Sequence, residues 1–167
     1  MLSRRTMMIG ATGIAGLASL GLYGRSALGG APTEGDFEIV RTSAEWREIL
    51  TEEQYRILRQ EGTERAWTSP LLEEHRTGVF HCAGCGNPLY ESHTKYDSRT
   101  GWPSFWDALP GSVGTKDDRS FFMVRTEVHC ARCGGHLGHI FEDGPEPTGL
   151  RHCINGLALE FRPAEGA

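Results

Sequence analysis

Five cysteines carry most of the chemistry available to this chain. Cys82-Ala83-Gly84-Cys85-Gly86 and Cys130-Ala131-Arg132-Cys133-Gly134 repeat one pattern, C-x-x-C-G, and leave Cys153 without a like partner. A Cys-x-x-Cys turn aims two thiolates at one point, and a glycine after it supplies the φ > 0 conformation that closes the knuckle. Two knuckles from distant hairpins provide the four sulfurs of a closed, tetrahedral Zn2+ site. Two disulfides, or a redox Cys-x-x-Cys, are the competing readings, because an exported chain can form disulfides. Near-identical knuckles are better explained by one shared metal geometry than by two tight bridges. A structural Zn2+ on Cys82, Cys85, Cys130 and Cys133 is therefore expected.

The fifth cysteine lies in Arg151-His152-Cys153-Ile154-Asn155, a short β-type run. A lone cysteine is more often a small buried residue than a nucleophile. Here its neighbours favour the thiolate: on a strand, Arg151 and Asn155 point to the same face as Cys153. His136 and His139 follow directly on the second knuckle, so a metal there would fix where they point. Either histidine alone could be a satisfied structural residue or a further metal ligand. Together with Cys153 they offer a nucleophile with proton donors. Gly101-Trp102-Pro103-Ser104-Phe105-Trp106 is a second dense patch. Its plain reading is core closure, and its sharper one is an apolar wall for a small methyl-bearing group.

These residues need elements to hold them. Ser43 is expected to cap a short helix with Trp46, Ile49 and Leu50 on one side. Thr51-Glu52-Glu53-Gln54 is a capping box opening a second helix, with Tyr55 and Leu58 inward and an end at Gly62. A further helical piece is expected within Trp67 to His75, with Pro70 near its start. After Gly78 come short β runs at Val79–His81, Leu89–Glu91, Phe121–Val128, Leu137–Phe141 and Leu157–Phe161, with glycine and proline between them. In the last run Leu157, Leu159 and Phe161 share one face, and Ala158 and Glu160 the other. Gly111 to Gly114 reads as a turn. The class is α+β, mainly antiparallel β.

The 167 residues fit one domain plus a leader, and the formal net charge of −5 leaves no footprint for nucleic acid or an anionic membrane surface. Arg4-Arg5 precede an uncharged, glycine- and alanine-rich run from Met7 to Gly24, with Ala27-x-Gly29 as a cleavage site. Residues 1–30 therefore read as a twin-arginine export signal, placing the protein in the periplasm or beyond. A membrane anchor is the alternative, if the signal stays uncleaved, but the run is poor in large apolar residues. Residues 31–41 read as a linker, 42–162 as the domain and 163–167 as a tail.

Lys95 to Phe105 (K-Y-D-S-R-T-G-W-P-S-F), Cys130 to Pro145 (C-A-R-C-G-G-H-L-G-H-I-F-E-D-G-P) and Arg151 to Asn155 closely resemble the B-type peptide-methionine (R)-S-oxide reductases. The resemblance extends over about Thr42 to Phe161. It implies two antiparallel sheets, with zinc opposite the active site, and reduction of the R epimer of methionine sulfoxide in oxidised proteins or peptides. It implies Cys153 as the nucleophile on the sulfoxide sulfur, His136 and His139 as proton donors that order the substrate, and Asn155 as a positioning group. Arg151 would favour the thiolate, and Trp102 would receive the substrate methyl. Two departures stand out. Many members carry a resolving cysteine where this chain has Thr100, so an external thiol, small or thioredoxin-like, is the expected reductant. Members usually continue C-I-N with Ser-Ala, where this chain has Gly156-Leu157. A cysteine hydrolase built on Cys153, a histidine and Asn155 is the rival enzyme class. A zinc-knuckle interaction module is the non-enzyme reading, and it leaves Cys153 without a task.

Overall fold

The computed structural model describes residues 37–119 and 124–166. The export signal, its cleavage site, residues 31–36 of the linker, residues 120–123 and the last residue of the tail lie outside the described residues. Among those described, no helix is long and apolar enough to cross a membrane.

Two capped helices open the domain. α1 (Ser43–Ile49) is capped by Thr42 rather than Ser43: Thr42 Oγ1 accepts from Glu45 N, and Glu45 Oε2 accepts from Thr42 N at 2.7 Å. Both hydroxyls are good caps, but only Thr42 has an acid three residues on, which completes the box. Trp46 and Leu50 are buried while Ile49 is 53% exposed, because the helix ends there and the extended Leu50 turns into the core instead. α2 (Glu52–Gln60) starts at the Thr51–Gln54 box and buries Tyr55, Ile57 and Leu58. It closes one residue before the expected glycine, through a left-handed Glu61 and a bond from Gly62 N to Arg56 O. The helical piece around Pro70 is a single 3-10 turn, Pro70–Glu73.

The strands form two antiparallel sheets. β1 (Gly78–Cys82), β2 (Pro88–Glu91) and β9 (Leu159–Pro163) make the smaller, in the order β2-β1-β9. The larger holds β3 (Lys95–Tyr96), β4 (Ser104–Phe105), β5 (Val113–Asp118), β6 (Arg125–Cys130), β7 (His136–Phe141) and β8 (Arg151–Ile154), in the order β3-β4-β8-β7-β6-β5. The α+β class and the two antiparallel sheets match the sequence reading. Two details differ. Gly111–Gly114 runs into β5, an edge strand whose Thr-Lys-Asp-Asp tail lacks apolar alternation, as edges exposed to solvent commonly do. The last run begins as a 3-10 turn, Gly156–Ala158, which breaks the alternation and buries Ala158 beside Leu159.

The core lies between the sheets. Tyr90 stacks on Phe105 with ring centroids 4.3 Å apart, and Phe80 meets Phe105 edge-on at 5.0 Å. The aromatic patch therefore divides: Pro103 and Phe105 are core, and Trp102 is only partly buried. β8 is central, held by β4 through Ser104–Cys153 and by β7 through His139–Cys153. At Gly138 the β7 backbone runs so close to β8 that a Cβ would strike the Cys153 carbonyl. Because the obstacle is backbone, Gly138→Ala is expected to destabilise the fold by about 2 kcal/mol or more, read as a lowered midpoint in thermal or denaturant unfolding.

Candidate active site

The four knuckle sulfurs all lie within 4.8 Å of one another. Cys82 Sγ stands 3.8 Å from Cys133 Sγ, and Cys85 Sγ 3.6 Å from Cys130 Sγ. Those are non-bonded distances between knuckles, and a tetrahedron with Zn–S of about 2.3 Å has an edge of about 3.8 Å. The donor set and its spacing thus suit one tetrahedral ion. Gly86 and Gly134, at φ 70° and 68°, close the two turns in the conformation expected of them. Packed together without an ion, the thiols cannot all be charged: hydrogen bonds from Cys133, Cys82 and Cys85 hold Cys130 far below the usual thiol range, while the bond to Cys130 and burial drive Cys82 far above it. A bound cation favours thiolates at all four.

On the larger sheet a cleft of about 200 Å³ is lined by Thr63, Trp102, His139, Phe141, Cys153 and Asn155, among others. Cys153 and His139 are direct cross-strand partners, which places their side chains on one face. Burial raises the Cys153 thiol above its usual range. The Arg151 charge opposes that, followed by hydrogen bonds from Thr100 and Arg151. Thr100 Oγ1 is 4.0 Å from Cys153 Sγ, so the loop ahead of Trp102 borders the cysteine. Arg151 is itself held: Nε and Nη2 each donate to Asp143 at 2.8 Å, and its guanidinium lies 4.4 Å from the Phe141 ring centre.

The two histidines take different places. His139 Nε2 meets Asp118 Oδ2 at 2.8 Å, and Arg125 pairs with the same oxygen at 2.6 Å. Burial lowers the His139 pKa, with the Asp118 bond pulling the other way. His136 does not line the Cys153 cleft. It is buried behind His139, ring centroids 5.5 Å apart, with Nδ1 at 2.8 Å from Glu127 Oε1, and lines a separate cavity with Glu127, Lys116 and Glu61. Burial pushes its pKa down to about 4, so it is neutral near pH 7. Residues three apart fall on opposite faces of a regular strand; here the β6–β7 register slips between Val128 and His129, with Leu137 as the extra residue, and both rings come to one side.

Asn155 is pinned at both ends of its amide. Nδ2 donates to Leu137 O, and Oδ1 accepts from Glu64 N, each at 2.9 Å. Glu64 is the residue that sequence reasoning missed. Its carboxylate accepts from Gly156 N at 2.6 Å and Leu157 N at 3.0 Å, and its carbonyl accepts from Trp102 Nε1 at 3.2 Å. One buried side chain thus ties the loop after α2 to the end of β8, and its backbone to Trp102. Gly156 has no room for a side chain, since a Cβ there would run into Ser69 Oγ and approach Glu64. Nothing in the Thr63-Glu64-Arg65 sequence marks this role, because each contact spans dozens of residues. Asp118, Glu127 and Arg125 were likewise unmarked.

The SelR domain family matches residues 50–163. The Thiobacillus denitrificans protein named peptide methionine sulfoxide reductase MsrB is 53% identical over 126 residues, which is 75% of this chain and 96% of that protein. Proteins of the same name from Methanosarcina barkeri and Agrobacterium fabrum are each 51% identical, covering 76% and 75% of this chain and 90% and 94% of theirs. At that identity and coverage, with a matching domain family over most of its length, the chain belongs to the MsrB peptide methionine sulfoxide reductases.

Proposed function

We propose that this chain reduces the R epimer of protein-bound methionine sulfoxide, with Cys153 as nucleophile, and so repairs oxidised proteins. The observation that carries the reading is the shared face of Cys153 and His139 in a cleft walled by Trp102 and Phe141. The Cys153 thiolate attacks the sulfoxide sulfur. One proton is taken up at oxygen, the oxygen passes to the Cys153 sulfur as the S–O bond and the newly formed S–S bond break, and the substrate sulfur, having gained two electrons, leaves as a thioether while Cys153 becomes sulfenic acid. His139 delivers that proton. With Nε2 engaged by Asp118, Nδ1 is the ring nitrogen left for the oxygen, and the carboxylate steadies the imidazolium. His136 keeps its ring behind His139 and sets its position, rather than touching the oxygen. Arg151 lowers the cost of the thiolate, Asn155 fixes the strand end, and the Trp102 indole takes the methyl. The arrangement of oxygen, methyl and chain around a chiral sulfur then admits one hand.

Regeneration consumes two equivalents of an external thiol, small or thioredoxin-like, forming their disulfide, water and the Cys153 thiol. The knuckles hold a structural Zn2+ that takes no part in these steps; it supplies rigidity where the two sheets meet. The twin-arginine sequence in residues 1–30 is the basis for placing the protein in the periplasm, where it would meet oxidised exported proteins. A cysteine hydrolase has weaker support, since both ends of the Asn155 amide bond backbone groups rather than a histidine.

Three outcomes are expected. The pH profile of kcat/KM is bell-shaped, its acid limb below the usual imidazole value and its alkaline limb above the usual thiol value, following the lowered His139 and raised Cys153. His139→Gln leaves only Cys153 ionisation to shape the profile, so the alkaline fall disappears and activity climbs to a plateau with thiolate formation, while single-turnover reduction slows by about a hundredfold; an unchanged rate moves proton delivery to another group. In the second, one equivalent of R sulfoxide without reductant leaves a dimedone-trappable Cys153 and no internal disulfide. Thr100→Cys converts that product to a disulfide between the introduced cysteine and Cys153, given the 4.0 Å approach of the native side chains. Equal turnover of R and S epimers, or a native disulfide to a knuckle cysteine, contradicts the mechanism. In the third, elemental analysis finds about one zinc per chain, and Cys85→Ser loses both the metal and cooperative unfolding.

A further inference from the structure

A second cleft, of about 440 Å³, opens on the far side of Trp102. Trp102 lines both clefts, so the second adjoins the Cys153 cleft across that ring. That second cleft is built around a residue the core does not use. Trp67 is 64% exposed and sits at φ 66°, a conformation large side chains rarely adopt. It is nevertheless fixed. Trp67 N donates to Gly101 O at 2.8 Å, and the space a Cβ on Gly101 would need is taken by the Trp67 indole. The ring is thus pinned at the surface against the residue preceding Trp102.

The charges around it are unevenly spent. Glu74 is bound through both oxygens by Arg76, at 2.6 and 2.9 Å. Lys95, the one lysine of the lining, donates to Leu72 O at 2.9 Å and is partly buried. Glu73 pairs with His75 at 3.7 Å and, with Glu74 and Asp97, acts on the Lys95 charge at longer range, while 90% of its side chain stays exposed. Asp97 holds the Arg99 amide through one oxygen at 2.9 Å, leaving the other to solvent or a ligand. An indole face beside two carboxylates suits a lysine or arginine, whose stem lies on the ring while its head meets the acids. An apolar side chain would instead strip water from both acids without replacing it.

We propose that this cleft docks the residues flanking methionine sulfoxide in the substrate polypeptide and favours a basic side chain there. The proposal rests on the Cys153 cleft being the sulfoxide site. The test measures kcat/KM for three otherwise identical peptides with Lys, Ala or Glu on both sides of the methionine sulfoxide, and for N-acetyl-methionine sulfoxide as a small reference. The expected order is Lys, Ala, Glu, separated by about three- to fivefold per step at low salt and compressed as salt rises. Trp67→Ala is expected to reduce the Lys-over-Glu ratio by about threefold. Glu73→Gln combined with Asp97→Asn, both at exposed positions, should bring the ratio close to one. Equal kcat/KM for the Lys and Glu peptides, a preference for Glu, or a ratio unmoved in both variants overturns the docking while reduction of the small reference upholds the sulfoxide site. No reduction of the small reference overturns the site itself, and the docking with it.

Discussion

The geometry of this domain depends on four sulfurs meeting at one point. Cys82 ends β1 in the smaller sheet and Cys130 ends β6 in the larger, so the cluster joins two sheets whose strands pair only within themselves. It also fixes the turn into β7. Gly134 and Gly135 leave the second knuckle, and the register slip that follows sets where His136 and His139 stand. The helices close over the same point: Arg59 donates to Cys133 O at 3.0 Å, and Leu58 packs beside Gly84 and Gly135. Loosening the cluster therefore releases the strand that opposes Cys153, although none of its atoms lines the cleft.

Within the cleft burial outweighs the opposing effects on Cys153, and the thiol stays above its usual range. Burial resists the thiolate, as it would for any half-enclosed thiol. A fixed guanidinium recovers part of that, but Arg151 is itself tied to Asp143 and spread over Phe141, which dilutes its charge. The resting enzyme therefore holds mostly thiol. A cysteine kept protonated until substrate arrives is less open to stray oxidants, since the thiolate is the reactive form.

What the sequence made legible was local. The knuckles, their glycines and the Thr51–Gln54 box each need only a few consecutive residues, and all formed as read. The pairing of Cys153 with a histidine was legible in type, because the residues are rare and close to rigid elements. What escaped involved parity and distance. His136 was read as a proton donor beside Cys153 but lies outside that cleft, and no spacing rule detects the one-residue bulge that sets its place, because the extra residue is an ordinary leucine. β5 escaped because an edge strand owes little to burial. Glu64 escaped because its partners, Asn155, Gly156, Leu157 and Trp102, are brought to it only by the finished fold.

The missing side chain at position 156 has a different kind of consequence. The hydroxymethyl of Ser69 occupies the space a substituent on Gly156 would need, so the two positions share a single side-chain volume. A side chain at position 156 requires a smaller residue at 69 or a shift of that loop. The order in which the two positions can change is constrained accordingly. Losing the side chain at 69 first leaves a small void that the domain can tolerate, whereas adding one at 156 first meets Ser69 and the Glu64 carboxylate together. The neighbourhood of Cys153 can thus drift along one mutational path and not along its reverse.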